Sequence, residues 1–256
     1  MIKNYLITKI TKNFFLLDNY LAYLNYLYTK KSLSDLFYKK YFSLFFPSCS
    51  SGLIFDISYV KRFIFIYTLQ ENEKNNSFYK ILNDELRSGE PEKIIPHLDI
   101  IAYIEREIKN KELLSYKGNA YRGTILTEDL IKKLEPGKIM FNSSFWSSSK
   151  DIKIAENFLS YSEKANTLIN IYTEGNNIDV DSENISYFKK EKEVLFIPFT
   201  PFKIIKIHKM SINNKLVNLI ILQQDINSEN ICKFDNMIEL YIHDHHYTKE
   251  FKKLFK

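Results

Sequence analysis

The apolar pattern of this chain changes at Lys117-Gly118, and that change limits the fold more than any single motif does. Before it, apolar residues recur at helical spacing. Phe14, Leu17, Leu21, Leu24 and Tyr28 fall on one helical face, and residues 33–46 form a second apolar-rich segment that ends near Pro47. A Ser48-Cys49-Ser50-Ser51-Gly52 loop follows. Residues 60–69 are a compact apolar run whose length suits either a strand or a buried helix. Ser77 stands where an N-cap belongs for a helix over residues 78–87, with Ile81, Leu82 and Leu86 on one side and Gly89 and Pro91 as stops. Ile94, Leu98, Ile101, Ala102 and Ile108 then stripe a helix to about residue 110.

After the switch, short apolar runs alternate with turn signals. Strands are expected over residues 120–124, 139–147, 168–172, 194–197, 202–208 and 216–222. Two helices interrupt them. Thr127 caps a short one (Leu130, Ile131, Leu134) that stops at Pro136-Gly137, and one from Asp151 buries Ile154, Ala155, Phe158 and Leu159. Gly175-Asn176-Asn177 and Ile212-Asn213-Asn214 read as turns. Helices first and strands later predict an α+β protein: a helical lobe over 1–116, a β-rich core over 117–228 and a helical tail over 229–256, packed as one compact unit.

Composition excludes several classes. Thirty-six basic against 31 acidic residues leave a net charge of +5, and the lysines are scattered. Nucleic-acid binding would need a dense basic stripe, so it is not expected. The N-terminal apolar stretch is broken by Asp18, Asn19 and Asn25 and lacks a small-residue cleavage site. It therefore reads as neither a clear signal peptide nor a membrane span. The expected reading is an amphipathic helix docked on the core, with a membrane-surface or delivery segment as the sharper alternative. The expected location is the cytoplasm, or outside the cell as a translocated effector. Cys49 and Cys232 are too few for a disulfide framework or a zinc cage, and buried free thiols are expected rather than a bridge. His243-Asp244-His245-His246 reads as a solvated helix surface rather than a metal site. His97 and Asp99, near Pro96 at a helix start, read as capping or surface residues. No Gly-rich phosphate loop occurs, which disfavours a Rossmann site.

The stretch that carries chemistry is Lys189-Lys190-Glu191-Lys192-Glu193-Val194-Leu195-Phe196-Ile197-Pro198. It reads as a turn entering a strand that Pro198 ends. On a strand, Glu191 and Glu193 would point the same way, roughly 6–7 Å apart, with Lys192 opposite. Two carboxylates aimed together repel each other. A structural strand has little use for that, whereas a site that holds a sugar hydroxyl and steadies developing positive charge does. Upstream stand Tyr121-Arg122-Gly123 and Phe145-Trp146-Ser147-Ser148-Ser149. Each piece alone has a plain structural reading: a salt-bridged arginine, a serine loop in which Ser149 caps the Asp151 helix, a solvated Lys-Glu face. In conjunction, all three lie at strand edges in the β-rich half.

These residues resemble the mono-ADP-ribosyltransferases of the Arg–Ser–Glu class, over residues 67–222. The run Ile185-Ser186-Tyr187-Phe188-Lys189-Lys190-Glu191-Lys192-Glu193 is similar to that family's target-recognition loop and Glu-x-Glu strand. Tyr121-Arg122-Gly123 matches its arginine strand. The serine run matches its serine strand, with Ser148 where threonine is common, a swap that keeps the hydroxyl.

The resemblance implies a split β-sandwich core with a helical lobe, and transfer of ADP-ribose from NAD to a protein arginine with release of nicotinamide. It implies that Glu193 steadies the oxocarbenium-like charge and holds the ribose 2′-hydroxyl, while Glu191 orients and activates the acceptor guanidinium. Arg122 would grip a phosphate or ribose of NAD. Gly123 would let the backbone approach the nicotinamide amide. Ser147 would hydrogen-bond Glu193, with Ser148 near the nicotinamide end and Ser149 as the final serine of the motif. Phe158 is a candidate for lining the nicotinamide pocket, although packing on its helix is the favoured reading. Tyr187 and Phe188 would touch the protein substrate or simply pack. NAD would be a co-substrate, no metal is expected, and the enzyme is expected to be a monomer. An NAD glycohydrolase with the same residues, and a non-catalytic binding module on the same fold, are the alternatives.

Overall fold

A computed structural model of the protein describes residues 57–69, 77–88 and 91–225. The expected helix over residues 14–28, the segment 33–46, both cysteines, the 243–246 cluster and the tail lie outside these residues. The ambiguous run at 60–69 is helical. In α1 (Ile57–Thr68) the buried Val60, Phe63, Ile64 and Tyr67 recur at helical spacing. Next, α2 (Phe78–Arg87) follows an extended Ser77 whose side chain makes no cap bond, and it buries Phe78, Leu82 and Leu86. The long α3 (Pro91–Lys109) begins at Pro91, where a missing N–H costs nothing. His97 thus lies inside the helix rather than at its start. It is 1% exposed, with Nε2 2.7 Å from Glu85 Oε2 on α2. That corrects the capping or surface reading, because the helix begins two turns too early for His97 to cap it. No described helix is long and apolar enough to cross a membrane.

The second half comprises β1 (Lys117–Thr124), α4 (Glu128–Lys133), β2 (Ile139–Phe141), β3 (Trp146–Ser149), α5 (Ile152–Tyr161), β4 (Thr167–Glu174), β5 (Ile178–Asp179), β6 (Glu193–Phe196), β7 (Pro201–Ile212) and β8 (Lys215–Gln224). They form one eight-stranded sheet, ordered β2-β7-β8-β4-β1-β3-β6-β5. The β1–β3 junction is narrow, paired through Tyr121 and Ser149. Beyond it the β3-β6-β5 wing folds over the rest. Trp146 stacks on Phe202 at 5.4 Å between ring centroids, and Phe196 meets Phe202 edge-on. The result is the α+β arrangement that the pattern predicted, with the split sandwich and helical lobe that the resemblance implied.

Alternation along β6 explains its continuous apolar run. Val194 and Phe196 pack inside the sandwich with Ala120, Ile169 and Leu222. Leu195, and Ile197 just after it, face the opposite way, into the core built by α1, α2 and α3. A strand buried on both faces needs apolar residues at every position. The strand expected over 139–147 is in fact two, β2 and β3. The Asn142 side-chain amide donates to Ser144 O and Ile197 O, 2.8 Å each, and Phe145 N–H donates to Asn83 Oδ1 at 3.0 Å. Side chains satisfy this backbone instead of a ladder, which frees the chain to pass from one leaf (β2 on β7) to the other (β3 on β6). The β7–β8 hairpin turns through Asn213 and Asn214 at φ 50° and 64°, a left-handed pair that asparagine tolerates.

Candidate active site

Strand register brings the three motifs together. Ser149 on β3 lies opposite Glu193 on β6, and Tyr121 on β1 lies opposite the same Ser149. The narrow junction between the two leaves is therefore where Arg122, the serine run and Glu193 meet. A cleft of about 500 Å³ opens there, lined by Arg122, Gly123, Ser147, Ser148, Ser149, Phe158, Phe188, Glu191 and Glu193. Tyr187 is the one sequence-predicted residue outside that lining. It is 54% exposed, its N–H bonds Thr68 Oγ1 at 3.0 Å, and its ring stands edge-on to Phe188.

Glu193 is 4% exposed, and burial pushes its carboxyl up to about 7. Hydrogen bonds from Ser147 and Ser186 and the charge of Arg122 hold the rise back, while the neighbouring charge of Glu191 adds to it. Arg122 donates from Nη1 to Ser147 O at 2.5 Å. Burial lowers its pKa, yet a guanidinium has range to spare and stays a cation.

Glu191 is not on the strand. It ends a 3₁₀ turn (Lys189–Glu191), Lys192 follows at φ 47°, ψ 50°, and β6 starts only at Glu193. The alternation argument for the pair is thus corrected: a left-handed residue between them, not a shared strand face, sets their relation. Both still line the cleft, Glu193 buried and Glu191 exposed at its rim. Partial desolvation raises the Glu191 carboxyl.

Helix α5 differs from expectation at one position. It buries Ala155 and Leu159, but Phe158 is 48% exposed and lines the cleft. Core packing was the favoured reading, and it fails because the stripe toward Leu168 and Val217 runs through Ala155 and Leu159. The absent side chain of Gly123 has a structural reason: a Cβ there would sit 2.6 Å from Ala155 O and 3.0 Å from Phe158 Cδ1. Glycine lets α5 lie directly on β1. Nor does Ser149 cap α5. Asp151 does, accepting from Lys153 N at 3.1 Å, and Ser149 Oγ receives the Asp151 N–H.

Sequence reasoning missed three contributors. Tyr67 of α1 is 5% exposed, lines the cleft and accepts from Asn83 Nδ2 at 2.8 Å. Burial drives its phenol well above the ordinary range. Asn83 also takes the Phe145 N–H, tying the helical lobe to the start of β3. Ser186 lies 3.4 Å from Glu193 Oε2 and receives the Phe188 N–H. A hydroxyl seven residues before the buried glutamate was a usable signal. Tyr67 sat inside an apolar run and Asn83 inside a helical apolar pattern, and neither gave one.

With this geometry established, comparison with known proteins identifies the class. A family model described as NAD:arginine ADP-ribosyltransferase matches residues 63–226, and the chain belongs to that family. It is similar to Vis of Vibrio splendidus (strain 12B01), a curated protein assigned as an NAD(+)–arginine ADP-ribosyltransferase, with 32% identity over 164 residues. That match takes in 59% of this chain and 64% of the relative, a little under two thirds of the relative's length. A crystal structure of Vis with an inhibitor shares the fold at 22% identity and a TM-score of 0.51, covering 77% of this chain and 86% of that one. HopU1 of Pseudomonas syringae pv. Tomato DC3000 does so at 21% identity and a TM-score of 0.52, covering 75% and 86%.

Proposed function

We propose that the protein transfers a single ADP-ribose from NAD to arginine side chains of a target protein, releasing nicotinamide. One observation carries the reading: a buried carboxylate, Glu193, and an exposed one, Glu191, open on the same cleft as the Arg122 cation. The residues fit NAD. Ser148 Oγ is buried without a hydrogen-bond partner among the described residues, and Arg122 has donors beyond the one given to Ser147. A polar, anionic dinucleotide satisfies both kinds of group.

In this reading NAD supplies the ADP-ribosyl group and nicotinamide as leaving group. Arg122 binds a phosphate or ribose oxygen. Ionised Glu193 accepts from the ribose 2′-hydroxyl and stabilises the positive charge that grows on the sugar as the bond to nicotinamide breaks. The hydroxyls of Ser147 and Ser186 hold that carboxylate in place. Glu191, reachable from solvent, pairs with the acceptor guanidinium and takes the proton it loses as the new N–C bond forms. The aromatic pair Tyr187 and Phe188 stands beside Glu191 as the contact for the surrounding protein. The Vis structure carries the name toxin, and delivery into another cell as a toxin or effector is the corresponding proposal here.

The test is incubation with NAD and an arginine-containing peptide, reading nicotinamide release and peptide mass together. A mass gain of one ADP-ribose on arginine is expected. Nicotinamide with free ADP-ribose alone would make the protein an NAD glycohydrolase, and no nicotinamide would make it a binding module.

A further inference from the structure

The aim of Glu191 is set from behind. Among the described residues no hydrogen bond or ion pair reaches its carboxylate, so its direction follows from its backbone. That backbone depends on Lys192 staying left-handed, at φ 47°, a conformation that costs a non-glycine residue free energy through its Cβ. Three consecutive residues, from the end of β3 to the cap of α5, brace it. Ser149 Oγ donates to Glu191 O at 2.7 Å. Lys150 N–H donates to Lys192 O at 3.0 Å. Asp151 Oδ2 takes the Lys192 ammonium at 3.0 Å. The same Asp151 caps α5 through its other oxygen, so the brace is fixed to a helix end. Lys192 beside it holds the Asp151 carboxyl below its ordinary value.

We propose that the Asp151–Lys192 ion pair is a specificity device that holds the left-handed bend and thereby sets how much ADP-ribose passes to arginine rather than to water. The inference rests on the role given above to Glu191. Asp151 and Lys192 touch neither NAD nor acceptor in this account; they are positioning residues. Glu193 starts the β6 ladder and is held by its own burial, so the steps that break NAD do not depend on the brace.

Asp151→Asn separates the two jobs of Asp151, because asparagine caps a helix as well as aspartate but leaves Lys192 without a counter-charge. The measurement is nicotinamide release and arginine modification in one reaction, with the midpoint of thermal unfolding recorded for each variant. We expect the transfer-to-hydrolysis ratio to fall about two- to fivefold, the range an exposed ion pair spans, with KM for NAD and total nicotinamide release unchanged. Lys192→Gln should do the same, and the double variant should fall no further, since the two act as one unit. High salt should lower the wild-type ratio and leave the variants' ratio unmoved. An unchanged ratio in Asp151→Asn, additive losses in the double variant, or equal losses of transfer and hydrolysis would overturn the proposal. If instead Glu191→Gln retains full transfer, the role of Glu191 fails first and the brace has nothing to aim.

Discussion

Glu193 and Glu191 stand two residues apart and are held by opposite means. Glu193 opens β6, a strand buried on both faces, and its carboxylate is gripped by Ser147 and Ser186 in near-complete isolation from water. Glu191 ends an exposed turn, has no described side-chain partner, and depends on a left-handed neighbour and a brace from β3 and α5. Burial gives the first carboxylate a tuned charge and a fixed position against the sugar. Exposure gives the second access to a protein-sized acceptor. One short motif thus yields a rigid chemical group and a reachable one, because a single residue of positive φ separates strand from turn.

The largest effect should come from the buried side. Glu193→Gln is expected to lower nicotinamide release about 10²–10³-fold, since it removes a charge placed where positive charge develops. It should also stabilise the fold at high pH. The folded pKa is raised, so below about 4.5 both states hold the proton and substitution gains nothing. As pH rises toward and through about 7, the unfolded chain ionises more readily and wild type loses stability that glutamine keeps. Urea unfolding at pH 8 should show the variant more stable by up to ~3 kcal/mol, with the gap closing toward pH 4.5. No gap at pH 8 would mean that the carboxylate is not strained by burial.

The contrast of buried and exposed recurs one helix away, with a smaller effect on activity. Leu159→Ala should cost about 2–5 kcal/mol in urea unfolding, as core truncations do. Phe158→Ala, on the next residue toward the N-terminus, should cost less than about 1 kcal/mol and raise KM for NAD instead. Equal destabilisation by the two would place Phe158 in the core after all.

A smaller shift sharpens the electrostatics. The Ser147 hydroxyl lowers the Glu193 pKa, so Ser147→Ala should move the acid limb of the kcat/KM profile to higher pH, its midpoint rising from about 7. A limb that stays in place would detach Ser147 from Glu193.

Much of this was legible in sequence, for identifiable reasons. Apolar runs and turn residues gave β4, β6, β7 and β8: β6 is buried at all four positions, and the other three carry buried apolar residues between more exposed ones. Thr127 gave α4, with its side chain accepting the Leu130 N–H as expected. The meeting of Arg122, Ser147 and Glu193 in one cleft was legible as motif order. The break between β2 and β3 was not, because it depends on Asn142 and Asn83 supplying side-chain bonds to backbone far away in sequence. The turn before the strand was read, but not that it takes in Glu191 with Lys192 left-handed, because left-handed backbone at a lysine has no compositional mark. His97 was misread because nothing in the sequence marks that its ring would be buried against Glu85 of a neighbouring helix.

The most direct test of the division of labour is Glu191→Gln, with nicotinamide release and arginine modification read in the same reaction. Transfer to arginine should collapse while most NAD hydrolysis persists, because Glu193, Arg122 and Ser147 remain in place. Transfer that survives intact, or both activities lost together, would contradict the assignment of separate roles to the two carboxylates.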